Sequence, residues 1–119
     1  MTREEKQLVL QDVCARLPYG VKYRTIGAEF AYTLKWIDVI NRLDGEVRLE
    51  NAKIFLRPMS SMTEEEEEQW LWLTNDSGWG MTERMIKECV DFLNKNMLDY
   101  RGLIPKGLAL EAPEGMYNI

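Results

Sequence analysis

The sequence predicts a single α+β domain, residues 1–119, in which a small curled antiparallel sheet of SH3-like barrel size packs against about three helices. Apolar positions recur at helical spacing in residues 2–17 and 63–97. Between residues 21 and 58 they alternate with the period of two that is typical of strands. The length of 119 residues and the apolar content of 45% suit one domain with its own core. Residues 98–119 are predicted to be an irregular C-terminal segment.

The first helix is predicted over residues 2–17. Thr2 and Glu5 have the spacing of a capping box, in which each side chain bonds a backbone amide of the first turn that would otherwise lack a partner. Pro18 and Gly20 end the helical pattern. The apolar stripe that we expect to face the core comprises Leu10, Val13, Cys14 and Leu17.

Four or five short strands are predicted in residues 21–58. The string VKYRT alternates apolar and polar residues, and a longer alternating strand follows in FAYTLKWIDV. One face of that longer strand carries Phe30, Tyr32, Leu34 and Trp36. Asp44 and Gly45 form a strong hairpin signal, after which EVRLE and KIFLR add further short strands. Short strands joined by tight turns favour a small barrel or a strongly curled sheet.

Five consecutive glutamates precede two tryptophans in the string MTEEEEEQWLWLTN, which is the most unusual stretch of the chain. Thr63 and Glu66 form a second capping box, and glutamates in a first turn are favoured by the partial positive charge of the helix N-terminus. We therefore interpret the run as a helix start with solvated glutamates, the alternative being an acidic recognition surface. The residues facing the core are then Trp70 with Leu73, or Leu71 with Thr74.

A third helix and the irregular C-terminal segment complete the predicted domain. The polar string TNDSGWG is predicted to be a loop, and Thr82 is the expected cap of the helix after it. The apolar stripe of that helix comprises Met85, Ile86, Cys89, Val90, Leu93 and Met97. Residues 98–119 carry too many apolar side chains for a solvated tail, so we expect them to lie ordered against the domain. Asp99 and Arg101 are expected to bond loop backbone there.

The distribution of charge disfavours nucleic acid as a partner. Residues 1–60 carry ten basic and eight acidic side chains, a net charge of +2, whereas residues 61–119 carry five and twelve, a net charge of −7. Nucleic-acid affinity rests mainly on basic side chains that release counterions from phosphates. The charged N-terminus and the lack of a long apolar run predict neither a signal peptide nor a membrane span, and hence a cytoplasmic location.

The chain has no histidine and two cysteines, which narrows the chemistry it can perform. Histidine is the commonest general base and metal ligand, so most hydrolase mechanisms and most zinc or iron sites are disfavoured. Cys14 and Cys89 lack metal-ligand spacing and lie on apolar stripes, so we expect both to be reduced thiols in the core. The sequence therefore predicts no catalytic residue, no metal site and no cofactor.

Three strings, taken in order, resemble a family of small proteins found in gut bacteria and in their phages and mobile elements. They are CARLPYGVK, SSMTEEEEE and FLNKNMLDYRGLIPKGLALEAPEGMY. The resemblance covers both ends of the chain and the joint after the strands, and residues 24–56 are the least similar part. The family has no established activity, so the resemblance implies a bacterial cytoplasm and assigns no functional residue.

The leading hypothesis for function is a non-enzymatic module that binds a protein partner. Its candidate contact residues are Trp79, Tyr100 and Arg101, because Trp, Tyr and Arg most often anchor interfaces. The alternative for Trp79 is burial against the core. A second hypothesis is a nucleic-acid-associated small barrel, whose cations and rings would be Lys22, Tyr23, Arg24, Tyr32, Lys35 and Trp36. The third is an enzyme of unrecognised type, which the absence of histidine disfavours.

Overall fold

The computed structural model describes residues 2–25, 27, 29–35, 52–74 and 83–117. Three helices and a four-stranded sheet lie in these residues and confirm the predicted α+β class. The helices are α1 (Arg3–Arg16), α2 (Glu64–Thr74) and α3 (Glu83–Lys95). The strands are β1 (Lys22–Thr25), β2 (Tyr32–Thr33), β3 (Ala52–Leu56) and β4 (Leu110–Glu111). No helix among the described residues is long and apolar enough to cross a bilayer.

The sheet is small and mixed, with the strand order β2-β1-β3-β4. β1 pairs antiparallel with β2 and with β3, as the alternating pattern predicts. β4 joins the other edge of β3 in parallel, with Phe55 opposite Leu110. The all-antiparallel prediction is therefore wrong at that edge, because a long connection containing α2 and α3 lets β4 run in the direction of β3. The described strands form an open sheet and not a closed barrel, and the predicted turn at Asp44 and Gly45 lies outside the described residues.

Both predicted capping boxes are present. The hydroxyl of Thr2 accepts a hydrogen bond from the backbone amide of Glu5, whose carboxylate accepts one from the amide of Thr2. Thr63 and Glu66 make the same reciprocal bonds at the start of α2. The glutamate run therefore begins a helix, as predicted. The prediction that its members stay solvated is wrong for Glu66, which is buried.

The predicted stripe of the first helix is confirmed at Val13 and at Leu17, which follows α1, and is wrong at its other two positions. The buried residues of α1 are Val9, Asp12, Val13 and Arg16. Leu10 and Cys14 are exposed, so the prediction that Cys14 lies in the core is wrong. The sequence pattern placed polar residues on the solvent side, whereas Asp12 and Arg16 are buried together as an ion pair and turn the helix accordingly.

α2 packs against α3 through one of the two predicted residue pairs. Trp70 and Leu73 face inward, and the ring of Trp70 stacks on that of Phe92 with centroids 5.9 Å apart. Leu71 and Trp72 lie on the outer side, with 61% and 80% of their surface exposed. The prediction is therefore confirmed for Trp70 and Leu73. These residues lie one and two turns after the buried Glu66 on the same face of α2.

The apolar stripe predicted for α3 is partly confirmed. Cys89 and Leu93 are buried, whereas Ile86 and Val90 remain exposed. Phe92 is buried as well. The inward face of α3 therefore includes Cys89, Phe92 and Leu93 and leaves out Ile86 and Val90. Burial raises the pKa of the Cys89 thiol, which favours the inert protonated form. Thr82, the expected cap, lies outside the described residues.

The C-terminal segment packs against the domain, as predicted. Leu103 and Leu108 belong to the main core, which lies between α1, the sheet and this segment. The carboxylate of Asp99 accepts hydrogen bonds from the backbone amides of Leu103 and Ile104 at 2.8 and 2.9 Å, which confirms its predicted role. The prediction for Arg101 is wrong, because its guanidinium bonds the side chain of Asp12 and not loop backbone.

Candidate functional site

Tyr100 and Arg101, two of the three candidate contact residues, lie together in a network that joins α1 to the C-terminal segment. The hydroxyl of Tyr100 donates to Oδ1 of Asn94 at 2.9 Å, and Nη1 of Arg101 donates to Oδ1 of Asp12 at 2.6 Å. The guanidinium carbon of Arg101 also lies 4.5 Å from the centroid of the Tyr100 ring. The third candidate, Trp79, lies outside the described residues.

Asp12 and Arg16 complete this network and show what it does. Both side chains are fully buried, and Nε of Arg16 donates to Oδ2 of Asp12 at 2.9 Å. Nη2 of Arg16 donates to the carbonyl oxygen of Leu98 at 2.6 Å, beyond the end of α3. The guanidinium carbon of Arg16 lies 5.3 Å from the centroid of the Tyr100 ring, so both arginines are close to this ring. The network therefore fastens α1 to α3 and the C-terminal segment, and it commits the polar ends of Tyr100 and Arg101 to the fold.

A groove of about 580 Å³ lies beside the carboxyl ends of the parallel strands β3 and β4. Crevices beyond the carboxyl ends of parallel strands are common binding places. The volume falls within the roughly 300–1,000 Å³ usual for ligand sites. One wall contains Arg57, Ser61 and Thr63, and the other contains Glu111, Glu114 and Tyr117.

Arg57 supports the first wall. Its Nη1 and Nη2 donate to the two carboxylate oxygens of Glu66 at 2.9 and 2.8 Å. They also donate to the carbonyl oxygens of Asn96 and Ser61. The hydrogen bonds from Arg57, followed by the backbone amide of Thr63, hold the pKa of the Glu66 carboxyl below its ordinary value against the effect of burial. Because four bonds occupy its terminal nitrogens, Arg57 holds the wall and has little capacity for a ligand.

Tyr117 joins the second wall to the sheet. Its hydroxyl accepts a hydrogen bond from the backbone amide of Lys22 at 2.9 Å and donates one to the carbonyl oxygen of Phe55 at 2.7 Å. Where β1 pairs with β3, Tyr23 lies opposite Ile54, and Lys22 and Phe55 are the next residues along the two strands. The Tyr117 hydroxyl therefore bridges the two strands next to the Tyr23–Ile54 pair. Burial raises the pKa of Tyr117 to about 12, which keeps the hydroxyl protonated and able to donate at neutral pH.

Two carboxylates remain at the surface of the groove. Glu111 and Glu114 are exposed, and no ion pair or hydrogen bond joins either side chain to another of the described residues. Thr63 lines the groove and immediately precedes α2. The exposed glutamates in the first turn of α2 therefore begin at the edge of the groove. The charge of Arg57 is compensated by Glu66. We call this cleft, lined by Arg57, Ser61, Thr63, Glu111, Glu114 and Tyr117, the acidic groove.

The acidic groove suits the binding of cations better than catalysis. Its two unpaired carboxylates are both exposed, whereas acid–base catalysis by two carboxylates needs differently tuned surroundings. Within the described ranges, no cluster of three or more carboxylate or thiol side chains could hold a metal ion. Sequence patterns missed the groove because Glu111 and Glu114 meet residues 57–63 only through the parallel pairing of β4 with β3.

Comparison of the chain with protein-family models, curated proteins and solved structures gives no match in any of the three.

Proposed function

We propose that the chain is a non-enzymatic interaction module of a bacterial cytoplasm that binds a basic segment of a protein in the acidic groove. One observation supports this most directly. Arg57 and Tyr117 are bonded within the fold, while the exposed residues Glu111 and Glu114 line a cleft of suitable size and form no ion pair with another described residue. A Lys or Arg side chain entering the cleft would supply the missing positive charge.

The partner that fits is an extended segment carrying at least two basic residues. Exposed charge pairs contribute only about 0.2–1 kcal/mol each, so the complex is expected to be weak and sensitive to salt. The screening length falls to about 8 Å at physiological ionic strength, which limits attraction to groups close to the cleft. Apolar contacts of the lysine or arginine stems with Pro113 and Ala112 in the groove wall would add to the affinity.

The sheet register favours a protein partner over nucleic acid. Lys22 and Arg24 lie on one face of β1, whereas Tyr23 lies on the other with Tyr32 as its cross-strand neighbour. The centroids of these two rings are 6.3 Å apart. Proteins that bind single strands place cations and stacking rings on the same surface. In the described part of the sheet, the ring on the face of these cations is that of Phe55, which is buried and cannot stack on a base, so the nucleic-acid alternative has less support than binding of a basic peptide.

The test is a titration of a fluorescein-labelled oligolysine peptide, followed by fluorescence anisotropy. The variant Glu111→Gln with Glu114→Gln is expected to bind it at least tenfold more weakly than the natural chain, a loss of about 1.4 kcal/mol. The matched control is Glu4→Gln with Glu83→Gln, which makes the same charge change at exposed positions outside the groove. Equal weakening by both variants would show that only net charge attracts the peptide, and would overturn the proposal.

A further inference from the structure

Arg24 and Lys53 lie directly opposite each other in the antiparallel register of β1 and β3. Directly opposed side chains have Cβ atoms about 4.5–5.5 Å apart, and like charges in that position destabilise a sheet. Lys22 is two residues from Arg24 along β1 and therefore lies on the same face. No acidic side chain among the described residues forms an ion pair with any of these three. We call Lys22, Arg24 and Lys53 the basic sheet face.

Packing holds this positive charge at the surface. The guanidinium carbon of Arg24 lies 5.8 Å from the centroid of the Phe55 ring, which is itself buried. Arg24 is exposed, and Lys22 and Lys53 are half-buried. The aromatic contact fixes the position of the Arg24 charge without neutralising it. The sheet therefore presents two like charges side by side, which an anionic group docked on this face would compensate.

The same chain presents the complementary charges. The acidic groove offers Glu111 and Glu114, and Tyr117 in its wall is bonded to the backbone of Lys22 on the basic sheet face. The two surfaces are therefore neighbours. Neighbouring surfaces of opposite charge can meet twice across a two-fold axis, so that each copy supplies one surface to the other and the assembly closes.

We propose that the acidic groove of one chain binds the basic sheet face of a second copy, and that two such contacts form a two-fold dimer. This inference rests on the proposed function, because it identifies the basic segment that the groove accepts. Arg24 and Lys53 of the second copy complete the groove by facing Glu111 and Glu114. The like-charge pair on the sheet is compensated in the dimer, which gives a physical reason for its presence.

Sedimentation velocity at low and high salt tests the dimer. The natural chain is expected to form a dimer at low salt and to dissociate as salt is added, because screening weakens exposed charge pairs. Two variants each lose the contact in both directions: Arg24→Glu with Lys53→Glu, and Glu111→Lys with Glu114→Lys. Each alone is expected to associate at least tenfold more weakly than the natural chain. Circular dichroism checks that both fold, and Arg24→Gln with Lys53→Gln replaces the first variant if it does not.

Mixing the two charge-reversed variants provides the decisive measurement. One variant then has two acidic surfaces and the other two basic surfaces, so a heterodimer is expected although neither variant pairs with itself. A natural chain that is monomeric at low salt, or a mixture without heterodimer, would overturn the inference. The proposed function would still stand if oligolysine binds the groove in that case, and it would fail as well if the peptide does not bind.

A labelled single-stranded DNA oligomer is the competing probe for the basic sheet face. We expect no micromolar binding of this oligomer at physiological salt, because acidic side chains dominate residues 61–119. Binding that disappears in the Arg24→Glu, Lys53→Glu variant would show that this face takes a polyanion other than a second copy, and would overturn the proposed dimer.

Discussion

The two capping boxes have the same spacing, and yet they do different things in the fold. The reciprocal bonds between Thr2 and Glu5 are 2.9 and 3.1 Å long, and those between Thr63 and Glu66 are 2.8 and 3.2 Å long. The first box is exposed, whereas Glu66 is 5% exposed and pairs with Arg57. The same motif thus begins a helix in both places. How much the stability of the fold depends on the motif is set by a residue outside the helix, which for Glu66 is Arg57.

The acidities of the two glutamates express the same difference. The pKa of the Glu5 carboxyl is lowered chiefly by its hydrogen bond from the backbone amide of Thr2. The pKa of the Glu66 carboxyl is lowered chiefly by its hydrogen bonds from Arg57, with the amide of Thr63 contributing less. In the first box the pKa is therefore lowered chiefly by a hydrogen bond within the motif. In the second box it is lowered chiefly by hydrogen bonds from a residue outside the helix.

The largest expected effect comes from Glu66→Gln, which removes the charge and leaves the guanidinium of Arg57 buried without its carboxylate. Breaking one partner out of a buried pair costs about 3–5 kcal/mol, and we expect the free energy of unfolding in urea to fall by about 3 kcal/mol. The matched control is Glu67→Gln on the exposed side of the same turn, where a change below about 0.5 kcal/mol is expected. A small loss for Glu66→Gln would mean that the two boxes are energetically alike.

Acid should remove the contribution of Glu66 progressively. A carboxyl whose pKa is lowered in the folded state stabilises the fold fully above its unfolded value, which is near 4.5. That contribution is lost as the pH falls below 4.5 and through the lowered folded pKa. Urea unfolding at decreasing pH should therefore show the difference between the natural chain and Glu66→Gln becoming smaller. A difference that stays constant across this range would contradict the assignment of the ion pair as its source.

Removing the threonine caps should destabilise the fold less than removing the Glu66 charge. Thr63→Ala and Thr2→Ala each remove one side-chain acceptor from a helix start, and each should cost about 1 kcal/mol or less. Thermal or urea unfolding of the two variants should give similar losses, with Thr2→Ala no larger, because the exposed first turn of α1 can fray. A loss for Thr63→Ala equal to that for Glu66→Gln would indicate that capping, and not Arg57, distinguishes the second box.

Local features of the fold could be predicted from the sequence because their physical causes lie within a few residues. Both helix starts follow from Thr and Glu three residues apart, and the antiparallel pairing of β1 follows from alternating residues in VKYRT. The ordered C-terminal segment also follows from its composition, since Leu103 and Leu108 need a surface to cover them.

The inward face of α1 was decided by tertiary partners. Asp12 is buried because Arg16 and Arg101 both bond it, and Arg101 lies 89 residues further along the chain. A hydrophobic pattern treats such residues as solvent-facing, so the predicted stripe is right for Val13 and Leu17 and wrong for Leu10 and Cys14, which are exposed. Burial of a charge depends on whether its partner arrives, and the partner is not visible in the local pattern.

The candidate site was decided in the same way. Arg57 and Glu66 lie on either side of a turn, and Glu111 reaches that turn only because β4 pairs in parallel with β3. Local sequence alone predicts the helix starts, the alternating strands and the excess of negative charge in the second half. Folding determines which carboxylate is neutralised, as Glu66 is, and which is left at the surface, as Glu114 is. The physical reason is that local patterns set backbone conformation, whereas the compensation of a charge depends on residues that only folding brings near it.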